Sequence, residues 1–328
     1  MESAMFDAWK RRRAAHRYSE AMRLINKSDY ARAKSIGEEL LRIQFSGGWE
    51  VLALVERGQG NMGAALRVLQ EGVECVPSVW SLWKLLGDTL SDLKRFDEAF
   101  SAYQNAISLG GADEASVRYN WALALARAGK ADEALDQLRW THAGSGPLQW
   151  RIPALVASVL GDLRRFDEAI AACSAALAAI SDENGEGHAQ LLGAKARVLL
   201  LKGDSADARA MALEAVSKRF VAEGAWVLRE IAPLRSLAAK SWRIIVKGRW
   251  PRPVDGETAV GFFRTFELVA DEPDEAMTYI RPFEPLQAGD SLKVESIECR
   301  GPAADQPKGV YWASGHIFHR RDDDSPVH

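Results

Sequence analysis

One short segment of the sequence recurs at a nearly constant interval, and this limits the possible folds more than any other feature. The segments LKRFDEAF, starting at Leu93, and LRRFDEAI, starting at Leu163, are 70 residues apart, and GKADEAL, starting at Gly129, repeats the element between them. When the alanine of this element marks the phase, successive copies lie 32, 34, 35, 35 and 39 residues apart. The marker alanines are Ala33, Ala65, Ala99, Ala134, Ala169 and Ala208. A period of this length indicates stacked helical or mixed repeats.

Each period has the pattern of two amphipathic helices joined by a short turn. In the copy that begins at Trp80, one helical face carries large residues and one glycine at i, i+3, i+4 and i+7, and a second stripe follows the turn. The first stripe is Trp83, Leu86, Gly87 and Leu90, and the second is Ala99, Tyr103, Ala106 and Ile107. Small residues at fixed places would let the paired helices approach closely.

This arrangement resembles the tetratricopeptide-repeat family, whose unit of 34 residues has large and small residues at fixed positions. The copies span 14–47, 46–79, 80–113, 115–148, 150–183 and 189–222. The resemblance implies an all-α solenoid in which helical hairpins form a right-handed superhelix with a concave face. Because every repeat leaves an apolar face open, caps are needed at both ends. We expect them at Glu223–Leu237, kinked or ended by Pro233, and at Met1–Arg13.

The apolar pattern changes to alternation near Trp242, which predicts strands. We expect strands from Trp242, at Ala259–Ala270, at Ser291–Cys299 and at Gly309–His319. A short helix with Asp271 as its N-cap should lie between the second and third strands. The order β-β-α-β-β predicts a small antiparallel sheet with a helix across one face. The chain is therefore predicted to be α+β overall, with a helical solenoid at 1–240 and an α+β domain at 241–328.

The sequence carries no catalytic signature. It contains no Gly-x-Ser-x-Gly segment, no phosphate-binding glycine-rich loop and no His-Glu-x-x-His motif. His316 and His319 are three residues apart on a predicted strand, so their side chains should point to opposite faces instead of sharing a metal ion. We predict a non-enzymatic protein without a cofactor or metal site.

The composition limits the classes of partner that the chain is expected to bind. The 42 basic and 45 acidic residues give a net charge of −3. This balance does not favour nucleic acid, despite basic and aromatic residues around Trp250 and Phe318. No apolar run is long enough to span a bilayer, and the amino-terminal region lacks the apolar core of a secretory signal. Cys75, Cys173 and Cys299 are odd in number and far apart, so neither a disulfide framework nor a zinc site is indicated. We expect a reducing, cytoplasmic location.

The resemblance implies that the first helix of each repeat presents a partner-binding face. The candidate residues are Lys84, Asp88, Tyr119, Asn120, Arg127, Arg151 and Asp162. One subclass of the family grips a peptide's terminal carboxylate with five polar residues. Here Asp88 and Leu155 stand where that subclass has an amide and a cation, so such a clamp is not favoured. Lys84 and Asp88 could also simply satisfy each other, because they are four residues apart on one helix.

The leading hypothesis is a protein-interaction scaffold that binds a protein or peptide segment on this face. Two alternatives remain open. The chain could be a regulator or antidote that clamps one dedicated partner with both domains. The C-terminal domain could instead hold a ligand-binding or enzymatic site around Arg264, Glu267, His316 and His319.

Overall fold

The computed structural model describes residues 2–110, 113–141, 146–180, 185–231, 233–250, 260–285, 288 and 291–320, without the side chains of 2–11 and 320. The chain divides into two compact units, Met1–Ala143 and Gly144–His328. They are called unit 1 and unit 2. The predicted domain boundary near residue 240 stays a prediction.

Helical hairpins make up unit 1 and the first part of unit 2. In unit 1 the helices are α1 (Glu2–Asn26), α2 (Tyr30–Arg42), α3 (Gly47–Gly58), α4 (Met62–Cys75), α5 (Trp80–Asp92), α6 (Phe96–Ser108), α7 (Glu114–Arg127) and α8 (Ala131–Arg139). In unit 2 they are α9 (Leu148–Asp162), α10 (Phe166–Ala179), α11 (Gly185–Lys202), α12 (Ser205–Lys218) and α13 (Ala222–Glu230). Odd-numbered helices α1 to α11 are the first helices of the predicted repeats, and even-numbered helices α2 to α12 are the second.

The small residues of the repeat pattern lie at the closest helix contacts. All six marker alanines have 0% of their surface exposed. The small residues of the first helices are buried as well, namely Ala21, Ala53, Gly87, Ala122, Ala157 and Ala196. A larger side chain at any of these positions would push the helices apart, so the sequence period directly reflects the packing period. The predicted solenoid of hairpins is confirmed.

The hairpin turns share one backbone geometry. A residue with left-handed φ, between 59° and 102°, stands five positions before each marker alanine. These residues are Ser28, Gly60, Lys94, Gly129, Arg164 and Gly203. In the turn after α5 the N–H of Arg95 donates to the carbonyl of Leu90 at 2.9 Å. This bond satisfies one of the carbonyls that a helix end leaves unpaired, as in a Schellman motif.

Both predicted caps differ from the structure. Residues 2–26 form one continuous helix, so the backbone of the expected amino-terminal cap is an extension of α1, and its side chains up to residue 11 lie outside the described residues. At the other end α13 stops at Glu230 and not at Leu237, so of the two effects expected of Pro233, a kink or an end, the structure has the end. Pro233 follows closely, and a proline has no N–H to continue a helical ladder.

An antiparallel sheet completes unit 2. Its strands are β1 (Lys240–Arg249), β2 (Val260–Ala270), β3 (Lys293–Pro302), β4 (Gly309–Ala313) and β5 (Ile317–Arg320). The order is β3-β1-β2-β4, and β5 also pairs with β2. Helix α14 (Pro273–Ile280) and a 3₁₀ turn (Arg281–Phe283) follow β2. The predicted α+β class is confirmed, and the beginning of the second predicted strand, residue 259, lies outside the described residues.

Two local details of the sheet differ from the prediction. The expected strand Gly309–His319 is two strands, because the main chain leaves the ladder after Ser314. The N–H of Ser314 still donates to the Thr265 carbonyl at 2.9 Å, but its hydroxyl, and not its carbonyl, accepts from the N–H of Thr265 at 3.0 Å. The N-cap of α14 is Glu272 instead of Asp271, because Pro273 occupies the first helical position, where a missing N–H costs nothing.

The sheet and the last hairpin of unit 2 share one apolar core. Ala215 and Val216 of α12 belong to the same buried cluster as Ile244 of β1 and Phe266 of β2. Phe283 from the 3₁₀ turn belongs to this cluster too. The sheet therefore covers apolar surface of the last repeat, which is the role that an end cap must perform.

Candidate functional site

A cavity of about 590 Å³ lies on unit 1, between the first helices of its first three hairpins. We call it the first-helix cavity. Its wall includes Tyr18 and Met22 of α1, Glu50 and Leu54 of α3, and Trp80, Ser81 and Lys84 of α5. Each helix thus contributes both polar and apolar side chains. This volume is within the range typical of ligand-binding clefts.

Glu50 is the carboxylate that the neighbouring repeats fix in place. The hydroxyl of Tyr18, 32 residues earlier, donates to Glu50 Oε2 at 2.7 Å, and the hydroxyl of Ser81, 31 residues later, donates to Oε1. Burial and the hydrogen bond to Glu50 raise the pKa of Tyr18, so it remains a donor at neutral pH. Glu50 is therefore held from both sides in one orientation.

Apolar and aromatic side chains form much of the remaining wall. Leu54, Leu85 and Trp80 line the cavity and are each half-buried, so they still present apolar surface to solvent. Phe45 also lines it, with its ring centre 6.3 Å from that of Tyr18. Apolar surface with a few fixed polar groups is the usual composition of a binding cleft.

Of the predicted partner-binding residues, Lys84 lines this cavity. Its Nζ lies 3.2 Å from Asp88 Oδ2. Asp88 Oδ1 also accepts hydrogen bonds from the Tyr103 hydroxyl and the Asn120 amide, each at 2.9 Å. Burial and the charge of Asp88 raise the pKa of Tyr103. Asp88 and Asn120 thus bond with each other and with neighbouring helices.

Arg127 also bonds between repeats. Its Nη1 lies 3.1 Å from Asp92 Oδ1, and Asp92 Oδ2 accepts from Arg57 Nη2 at 2.8 Å. Asp92 therefore joins three successive hairpins of unit 1. Tyr119, on the same helix as Arg127, is half-buried. The partner-binding role of these residues stays a prediction.

The last two candidates belong to unit 2. Arg151 is exposed on α9. Asp162, at the end of α9, accepts a hydrogen bond from Arg197 Nη2 of α11 at 2.7 Å. The structure therefore brings only part of the predicted set to the first-helix cavity, and a role for Arg151 and Asp162 in binding also stays a prediction.

Sequence reasoning missed Tyr18, Glu50 and Trp80. Tyr18, Glu50 and Lys84 occupy the same place in the first three repeats, and Met22 and Leu54 share the place one helical turn later. A comparison of equivalent positions in successive repeats would have brought these side chains together.

The alternative site in the C-terminal sheet is also partly assembled. Arg264 Nη1 lies 3.1 Å from Glu284 Oε1, and His316 Nε2 lies 2.8 Å from Glu284 Oε2. The side chains of Arg264 and Glu284 are only 3% and 0% exposed. Burial lowers the pKa of Arg264, and the charge of Glu284 and its hydrogen bond with Arg264 partly offset this lowering. Glu267 and His319 lie elsewhere.

Glu267 pairs with Arg243 at 3.3 Å, and His319 stacks on Phe263 with ring centres 4.8 Å apart. His316 instead packs on Phe262 at 4.9 Å. Since consecutive residues of β2 face opposite sides of the sheet, the two histidines diverge. In the part of the chain that the structure describes, His, Cys, Asp and Glu form no group that could hold a metal ion. All three cysteines are unpaired.

No protein-family model and no curated protein matches the chain. Among solved structures, a tetratricopeptide repeat protein from Parabacteroides merdae ATCC 43184 superimposes with a TM-score of 0.54 at 12% identity, covering 66% of this chain and 85% of that one. The APC/C hetero-tetramer Cut9–Hcn1 contains a chain with a TM-score of 0.52 at 15% identity, covering 66% of this chain and 42% of that one.

Among the described residues, no helix combines the length and apolar character needed to cross a membrane. Three observations indicate the same fold for the helical region: the structural matches, the buried small residues at repeat spacing and the common geometry of the hairpin turns. The helical region of this chain therefore has the fold of the tetratricopeptide-repeat proteins.

Proposed function

We propose that the protein is a non-enzymatic interaction protein that binds an extended peptide segment of a partner in the first-helix cavity of unit 1. The cavity itself is the observation that carries this proposal. It joins three repeats and combines half-buried apolar surface with a carboxylate that is already oriented. A rigid site loses little conformational entropy when it binds.

Two further observations support a binding role. The hydrogen bonds of Glu50, Asp88 and Asp92 between repeats fix the first helices in unit 1 and leave the cavity between them. One similar structure, Cut9–Hcn1, is itself a hetero-tetramer. A cytoplasmic location, a regulator with a dedicated partner and a C-terminal ligand site stay predictions.

Peptide selection followed by obstruction of the cavity tests the proposal. A random peptide library displayed on phage is selected on the purified full chain, and the Kd of the best peptide is measured by fluorescence anisotropy. Leu54→Trp adds a bulky apolar side chain to the cavity wall and should weaken binding at least tenfold.

Leu109→Trp is the matched control, because Leu109 is the C-cap residue directly after α6, is 40% exposed and lies outside the cavity wall. It should leave the Kd unchanged. Both variants should keep the circular dichroism and the melting temperature of the native chain. Equal Kd values for native chain and Leu54→Trp would refute the proposal.

A further inference from the structure

Glu50 differs in its partners from Asp88 and Asp92, two other carboxylates on the first helices of unit 1. Asp88 has an ammonium group beside it, and Asp92 has two guanidinium groups. Within the described ranges, Glu50 forms no ion pair, and its two hydrogen-bond donors are the neutral hydroxyls of Tyr18 and Ser81. Its negative charge is therefore oriented but not neutralised.

This arrangement favours a cation in the cavity. A carboxylate offers about four acceptor positions, and two donors leave the others open. Glu50 is half-buried, so a cation that reaches it gains more than it would at a fully hydrated carboxylate. The hydroxyls hold the carboxylate still, so little ordering remains to be done when the cation binds.

The aromatic side chains of the cavity wall also favour a cation. Tyr18, Phe45 and Trp80 all line the cavity that contains Glu50. Aromatic faces attract ammonium and guanidinium groups, typically by about 0.5 to 2 kcal/mol. A carboxylate among several aromatic rings is therefore suited to a cationic group with an apolar stem, which Lys and Arg side chains have.

Lys84 does not cancel this preference. Its Nζ is 3.2 Å from Asp88, whose charge offsets its own. Asp113, a second carboxylate on the cavity wall, belongs to no ion pair among the residues described and adds to the negative side. The charged groups of the wall together with Asp88 thus sum to a net negative site.

We propose that the first-helix cavity selects a partner segment that carries a lysine or arginine, with the cationic head on Glu50 and the stem against Trp80 and Leu54. This deepens the proposed function and rests on it. The recognition is opposite in sign to a clamp for a peptide carboxylate.

Deep sequencing of the phage-displayed random peptides, selected separately on three versions of the full chain, tests the inference. Peptides selected on the native chain should be enriched several-fold in Lys or Arg at one position. Glu50→Gln keeps the size and an acceptor for the hydroxyls but removes the charge, and the enrichment should disappear. Glu71→Gln removes an equal charge from an exposed site on α4 and should leave the enrichment intact.

A synthetic peptide from the native selection then gives the energetic coupling. Replacing its basic residue with methionine should raise the Kd for the native chain at least tenfold but change the Kd for Glu50→Gln less than threefold. Equal losses on both chains would overturn the inference, because the basic residue would then bind elsewhere.

The failure modes are distinguishable. If Leu54→Trp weakens the binding of the selected peptides but these peptides are not enriched in Lys or Arg, this inference is wrong and the proposed function still holds. If the selected peptides are enriched in Asp or Glu and Lys84→Met removes this enrichment, this inference is likewise wrong and the proposed function still holds. Failure to select any peptide, or peptides that bind Leu54→Trp normally, would overturn both.

Discussion

Replacing Glu284 with glutamine should destabilise the C-terminal sheet far more than the same change at a surface carboxylate. Glu284 lies after the 3₁₀ turn and is fully buried. Its Oε1 is 3.1 Å from Arg264, which also donates to the carbonyl of Phe283 at 2.7 Å and to that of Ser314 at 2.9 Å. The pair therefore joins β2, the 3₁₀ turn and the segment between β4 and β5.

The magnitude follows from the burial of the pair. Removing one partner of a buried ion pair typically costs about 3 to 5 kcal/mol, because the other charge remains in the interior without compensation. Glutamine keeps one oxygen that can accept from Arg264, so we expect the lower end, about 3 kcal/mol. Glu267→Gln is the control, because its partnership with Arg243 is on the surface, at 38% and 41% exposure. An exposed pair is worth at most about 1 kcal/mol.

Amide hydrogen exchange of β2 in the full chain measures this cost locally, since exchange reports the free energy of opening. About 3 kcal/mol corresponds to roughly a hundredfold faster exchange in Glu284→Gln. Adding Arg264→Met should recover only part of this cost, because it removes the uncompensated charge but leaves the new glutamine and the carbonyls of Phe283 and Ser314 without their donor. If Glu284→Gln accelerated exchange no more than Glu267→Gln, the assignment of Glu284 as the compensating charge would be wrong.

Two further predictions concern unit 1. An added Cβ at Gly87 would lie 2.7 Å from the buried Tyr103 ring, so Gly87→Ala should lower the free energy of unfolding by about 1 to 2 kcal/mol in urea titrations, whereas Gly63→Ala, with open space around it, should not. Burial and carboxylates raise the pKa of Tyr18 and Tyr103, so unfolding releases their protons and stability should fall as pH rises above about 10. The stability difference between native chain and Tyr103→Phe should then narrow from pH 8 to pH 10.5, and a constant difference would contradict this.

The repeat architecture could be predicted because local pattern and packing obey the same period. Helices α6 and α10 begin at Phe96 and Phe166, the first residues of the identical Phe-Asp-Glu-Ala boxes. The break between β4 and β5 could not be predicted, because it depends on the hydroxyl of Ser314 accepting from a backbone N–H of another strand. Residue alternation carries no sign of such a long-range bond.

The fixed orientation of Glu50 in the cavity could not be predicted for a similar reason. Equivalent repeat positions relate Tyr18, Glu50 and Lys84, but the period does not show that Glu50 accepts hydrogen bonds from residues 32 positions before and 31 positions after it. Lys84 was found because it faces the predicted binding surface. The apolar core that the sheet shares with α12 could not be predicted either. The helical pattern of α12 and the alternating pattern of the strands do not indicate that these segments pack together.

The most direct test of peptide binding in the first-helix cavity is to map where a selected peptide contacts the chain. A peptide carrying a photo-reactive side chain is cross-linked to the native chain, and the modified residues are located by mass spectrometry. We expect cross-links on α1, α3 and α5 at the cavity wall, lost when unlabelled peptide competes. Competed cross-links confined to the second helices or to the C-terminal sheet would show that the peptide binds outside the first-helix cavity.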